Sequence, residues 1–241
     1  MLEESQTEDA VAQSSATALA PPLSQDTALA QLAEHDLSSA AVEQISKDSA
    51  LMKSRKIRVA IVSHPHTPRR IALKLIRELY TFDLMHFAVL PNAPADLRHV
   101  ADELLISRLA SITLGERISL ARRCSAAVAG ALLLDKETRV WQSALESPRL
   151  TEASVIKALQ RTVTAAFVES LSHHAKWSVR PEIRIALLRN AHTPLARAIE
   201  FARRLPPAQL RDVLHGSRLP EKIKAYLWKD LESRQSFRGQ R

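Results

Sequence analysis

Two histidine pairs in this 241-residue chain have the donor atoms for a metal, one cysteine has the neighbours of a nucleophile, and two basic clusters have the charge for a polyanion. His64 and His66 lie two apart, and His173 and His174 are adjacent. Metal ligands on one helix face stand four apart, as in His-Glu-x-x-His, and neither pair has that spacing. His66 and His192 each precede a Thr-Pro pair, which assigns them to a turn, so no metal is expected. Cys124 follows Arg122 and Arg123, whose charges favour a thiolate. As the only cysteine it excludes an intrachain disulfide and a multi-cysteine zinc site. In an alanine-rich stretch it reads as a small buried helix residue. No Ser/His/Asp order and no carboxylate pair justifies a catalytic assignment. Neither G-x-G-x-x-G nor G-x-x-x-x-G-K occurs, so no catalytic residue and no cofactor is expected.

The basic clusters are the candidate binding residues. Arg69, Arg70, Lys74 and Arg77 follow Pro68 at helical spacing, opposite Ile71, Leu75 and Leu79. Arg189, Arg197, Arg203 and Arg204 recur in comparable later segments. Side-by-side helices would align them as a stripe; the alternative is a solvated face that keeps an Ala/Leu-rich body in solution. The net charge of +8 hides an asymmetry. Residues 1–50 hold nine Asp/Glu and one Lys, a net of −8, and residues 51–241 hold 33 Lys/Arg and 17 Asp/Glu, a net of +16. A field of that size attracts nucleic acid, anionic lipid or an acidic protein. It also suggests that the acidic tail folds over the basic face as a competitor.

The elements that must position these residues are helices. Only four glycines serve turns that need positive φ, and aromatics are 4% of a chain dominated by Ala, Leu, Ile and Arg. Residues 1–52 read as an acidic, mostly disordered tail with a possible short helix, residues 53–235 as the helical body, and 236–241 as a disordered end. Within the body Ile57-Arg58-Val59-Ala60-Ile61 matches Ile183-Arg184-Ile185-Ala186-Leu187, and His66-Thr67-Pro68 matches His192-Thr193-Pro194. The 126-residue offset holds without a gap through Ala72 and Ala198, Leu84 and Leu210, and Leu105 and Leu231. A fainter copy begins near Val140. Internal repetition of this kind marks helical arrays. Thr67 and Thr193 read as N-caps, with Pro68 and Pro194 in the first turn. Ser63 and Asn190 read as helix ends. Further helices are expected near 83–90, 94–108, 115–123, 125–134, 137–146, 151–160, 163–172, 180–190, 194–204, 207–215 and 219–234. No run of apolar residues is long enough to span a membrane. The amino terminus lacks the pattern of a secretory signal, so a cytoplasmic address is expected.

The Ile-Arg pairs at Ile57-Arg58 and Ile183-Arg184, with the Asn190-Ala191-His192-Thr193-Pro194 turn, resemble HEAT-like and leucine-rich-repeat-variant helical repeats, including bacterial members. The likeness covers about residues 55–235. It implies an all-α fold, an α-solenoid of HEAT-like helix pairs, in which Arg58 and Arg184 form a polar ladder between neighbouring repeats. Such repeats are mostly non-enzymatic scaffolds, which implies a protein partner held on a basic or concave face. The alternative is a nucleic-acid-binding HEAT-like protein, even a base-excision enzyme, since some HEAT-like DNA glycosylases set Trp and an acid on a basic face. Trp141, near Asp135, Glu137 and Glu146, invites that comparison, although Trp141, Trp177 and Trp228 read as core. An anionic membrane surface is the third possible partner.

Overall fold

The computed structural model describes residues 23–161 and 163–238. Among them stand fifteen α-helices, a short 3-10 turn at Leu51–Lys53 and no strand. In order the helices are α1 (Gln25–Ala33), α2 (Ser39–Lys47), α3 (Arg55–Ser63), α4 (Arg69–Ile76), α5 (Thr81–Ala88), α6 (Ala95–Arg108), α7 (Leu114–Arg123) and α8 (Ala126–Leu132). Then follow α9 (Thr138–Leu145), α10 (Glu152–Leu159), α11 (Ala165–His173), α12 (Pro181–Leu188), α13 (Leu195–Arg203), α14 (Pro207–His215) and α15 (Glu221–Arg238). The chain is all-α, and divides into two compact units, the first ending at Leu79 and the second beginning at Tyr80.

Short helices follow from frequent punctuation. The hydroxyls of Ser24, Ser38, Ser125, Thr151 and Thr164 each accept from the backbone N–H three residues on. Each such cap is worth about 1 kcal/mol. Thr113 and Glu116 form a capping box at the start of α7. Pro68, Pro94, Pro194 and Pro206 stand immediately before their helices, where a missing N–H leaves nothing unbonded.

In the first unit, two helices stand where the sequence offers one or two weak ones over 28–52. Ala28 and Leu32 of α1 and Val42 and Ile45 of α2 are buried, and α1 packs against α3. Their three- and four-residue spacing puts each pair on one helix face. Within 1–52, the stretches Gln25–Ala33 and Ser39–Lys47 are therefore helical and each buries one apolar pair. Residues 1–22 lie outside the described residues, and so does any folding of that segment over a basic face. At the other end, α15 continues to Arg238, past the expected limit at 235.

The corners between helices rest on side chains more than on glycine. Asp48, His64, Asp135, His174, Asn190 and Ser217 each accept from the N–H two residues on, at 2.8–3.2 Å. Several of these residues also reach back about thirty residues. His64 Nε2 donates to the Glu34 carbonyl at 3.0 Å, Asn190 Nδ2 to that of Leu159 at 3.2 Å, and Ser217 Oγ to that of Leu188 at 2.6 Å. Thr67 and Thr193 do not cap the following helices, as their position suggests. Their hydroxyls donate backward, to the carbonyls of Ile61 and Leu187. Pro68 and Pro194 themselves occupy the cap position, which leaves each Thr one residue outside its helix, where it adds a second donor to a carbonyl at the end of α3 or α12. Those helices end with His64 in an extended conformation and Arg189 in a right-handed one, so no left-handed cap forms there.

Helices α2 to α6 begin at residues 39, 55, 69, 81 and 95, and α11 to α15 begin at 165, 181, 195, 207 and 221, a constant spacing of 126. In the second unit α6, α8, α10, α12 and α14 touch in succession, and so do α5, α7 and α9. Gly130 permits the approach of α8 to α10, since a Cβ there would stand 3.1 Å from the Ser154 Cβ. Trp177, Phe167 and Phe201 are fully buried, and the Trp177 indole donates to the Leu145 carbonyl at 2.9 Å. A buried side chain of that size contributes about 1.5–3 kcal/mol.

Candidate interaction surface

In the first unit, α4 carries Arg69, Arg70 and Lys74, with Arg77 at its C-cap, all exposed. Arg70 pairs with Glu43, which also takes Lys47 at 3.2 Å. These two cations, Arg70 first, hold the Glu43 carboxyl below its ordinary range. Arg70 and Lys74 border a hollow of about 540 Å³ with Met52, Ile71, Leu75 and Glu78. The cluster is thus partly neutralised by the unit's own acids.

The second unit separates the four arginines expected to share a row. Arg197 is half-buried over the Phe201 ring, 4.8 Å from its centroid, and bonds the Glu200 carboxylate and the Ser172 carbonyl. Arg204 lies 3.5 Å from Glu200, and Arg203 is exposed. Arg189 stands apart from them, in a groove to which α13 contributes no residue. Within the second unit, α13 thus carries mixed charge while Arg189 lines a groove of its own. Arg58 and Arg184 likewise differ in their bonding. Arg58 pairs with Glu78 at 3.7 Å, and Arg184 Nε donates to the Ser178 carbonyl at 2.8 Å. Burial and the nearby Arg204 charge lower the Arg184 pKa, with Glu200 opposing.

The groove holds about 430 Å³, within the range of clefts that take ligands, about 300–1,000 Å³. Ile156, Leu159, Val163, Ile185 and Ala186 supply apolar lining, and Arg161, Arg189, Arg218, His192 and Glu182 supply charge and polarity. Corner bonds set its walls. Asn190 ties the end of α12 to the end of α10 through the Leu159 carbonyl. Ser217 and the Arg218 N–H tie the next corner to the carbonyls of Leu188 and Arg189, at 2.6 and 3.1 Å. Three guanidiniums from three successive corners are thereby brought to one hollow. Among the described residues none of them makes a side-chain ion pair. Sequence reading found Arg189 and missed Arg161 and Arg218, because their proximity depends on how the corners stack. A signal was present: 126 residues earlier stand His35, Ser63 and Asn92, so the three arginines belong to one copy alone.

The remaining chemistry-bearing residues have structural partners. Cys124 is fully buried at the end of α7, and burial pushes its thiol up to about 12. His64, His66 and His174 bond Glu34, Leu37 and Glu146 respectively. No group of three or more His, Cys, Asp or Glu among the described residues is placed to hold a metal ion. Trp141 is buried edge-on against Phe167, and Trp228 meets His215 edge-on. Asp135, near Trp141 in sequence, bonds Arg117 and the Glu137 N–H. No described helix is long and apolar enough to cross a membrane. Comparison with protein-family models, with curated proteins and with solved structures finds no match to this chain.

Proposed function

We propose that this chain is a non-enzymatic helical-repeat scaffold, an α-solenoid of HEAT-like helix pairs, that holds a protein partner on a basic surface of its second unit. The constant spacing of helix starts and the successive contacts of alternate helices support the repeat reading. The observation that carries the binding reading is the groove where Arg161, Arg189 and Arg218 gather without an ion pair among the described residues. Several other arginines are matched with acids, Arg70 with Glu43, Arg117 with Asp135 and Arg197 with Glu200, whereas at the groove three unmatched ones meet. Unmatched guanidiniums at a hollow are available to an anionic partner.

The test is affinity capture with the whole chain and two charge-reversed forms. One form changes Arg161, Arg189 and Arg218 to Glu; the other changes Arg69, Arg70 and Lys74 to Glu. A protein retained by the parent chain and by the second form, and lost from the first, is the expected result. Salt-sensitive capture of duplex DNA, lost with the α4 residues and not with the groove residues, would replace this reading with a nucleic-acid-binding one.

A further inference from the structure

We infer that the groove between the corners of α10, α12 and α14 is a docking site for an acidic protein segment that carries an apolar side chain. This rests on the reading above and names its ligand. Each of Arg161, Arg189 and Arg218 can bind a carboxylate through two parallel hydrogen bonds. Ile156, Leu159 and Ile185 add an apolar lining that a purely ionic site would not need. The groove lining contains no Phe, Tyr or Trp on which a nucleobase could stack, and His192 is its one ring. Acid and hydrocarbon together describe a peptide better than a nucleic acid.

The earlier copy of the same corner separates what the fold requires from what a ligand requires. In the first unit a hollow of about 200 Å³ is lined by Ala33, His35, Ala60, Ser63, His64 and Pro65, among others. Residues 126 later than these are Leu159, Arg161, Ala186, Arg189, Asn190 and Ala191, and all six line the larger groove. The corner bonds recur as well: His64 and Asn190 each accept from the amide two residues on and each reach the preceding corner. The corner therefore forms with His35 and Ser63 where the second copy has Arg161 and Arg189. Packing does not demand the arginines, and gathering like charges opposes folding. Glu182 also lines the groove and opposes an acidic ligand.

The experiment measures fluorescence anisotropy of the purified full chain with labelled synthetic peptides. The probes are Glu-Glu-Leu repeats, Glu-Glu-Ser repeats, Lys-Lys-Leu repeats and a DNA duplex. The leucine-bearing acidic peptide should bind most tightly and weaken as salt rises. Arg161→Ala, Arg189→Ala and Arg218→Ala should each weaken it about tenfold. Glu182→Gln should tighten it, and Lys136→Ala, exposed and outside the groove, should leave it unchanged. Circular dichroism melts establish that each variant is folded. Equal binding of the Leu and Ser peptides, or binding indifferent to the three arginines, overturns the inference. If no acidic peptide binds while the triple Arg→Glu form still loses a captured protein, the ligand class is wrong and the scaffold reading stands. If DNA binds in preference and the groove variants lose it, both are wrong.

Discussion

The Thr193 hydroxyl donates to the carbonyl of Leu187 at 2.6 Å, binding the corner after α12 to the last turn of that helix. Thr193 is 2% exposed, so no water replaces the hydroxyl if it is removed. Thr193→Val, which keeps the shape, should cost about 0.5–1.5 kcal/mol, because the Leu187 carbonyl loses one of two donors and keeps the Asn190 N–H at 2.9 Å. Thr193→Ser should lose less, since it removes only a methyl group. Urea unfolding reads both as a lower midpoint at constant slope. A Val variant as stable as the parent would show that the bond contributes nothing net.

Asp135 holds a second corner. Its carboxylate oxygens take Arg117 Nη1 at 2.9 and 3.1 Å, and Oδ1 also accepts from the Glu137 N–H at 2.9 Å. The carboxylate is nearly buried, and the guanidinium is about one-fifth exposed. Asp135→Ala should therefore destabilise by about 2 kcal/mol, less than a fully buried broken pair, because Arg117 regains some water. Asp135→Asn keeps the turn acceptor and should fall between, as thermal melts would rank them.

Asp102 gives the chain a pH dependence of defined sign. Burial raises its carboxyl above the ordinary value, against the opposing Ser125 hydroxyl, which donates at 2.6 Å, and the His99 and Arg98 charges. The folded chain holds this proton more tightly than the unfolded chain. Its contribution to stability is thus greatest at low pH and is lost as pH rises from the ordinary carboxylate range through the folded value. Asp102→Asn keeps an acceptor for Ser125 and removes the slope. Urea titrations from about pH 3 to 7 should show the variant gaining on the parent chain as pH rises. A parent chain that gains instead would reverse the sign and refute the assignment.

Cys124 should be inert while the chain is folded. It has no exposed surface, and its thiol is pushed up to about 12, so almost no thiolate exists near pH 8. A disulfide reagent should react only as fast as the chain opens, and quickly in denaturant. Rapid labelling of the native chain would mean that Arg122 and Arg123 act on an accessible sulfur.

The helices were legible because their boundaries are chemical. Pro181, Pro194 and Pro207 fix starts that sequence reading places within about a residue, and Ser and Thr mark most of the others. The role of Thr193 was not legible, because a hydroxyl both donates and accepts and only the fold shows which backbone group lies within its reach. Helices α1 and α2 were legible only as one or two weak helices, because acidic composition dilutes the spacing of Ala28 with Leu32 and Val42 with Ile45. The arginine cluster was one-third legible: Arg189 sits in a recognisable basic segment, while Arg161 and Arg218 are single residues in separate corners. Local sequence does not encode which corners stack.

That separation also makes the groove a caliper. Its charges are mounted on three corners, so the gap between them is set by the spacing of α10, α12 and α14. A bend that splays those helices pulls the guanidiniums apart, and a bound acidic segment clamps them at one distance. Ligand grip and stiffness of this stretch are thereby the same mechanical quantity, measured from two ends.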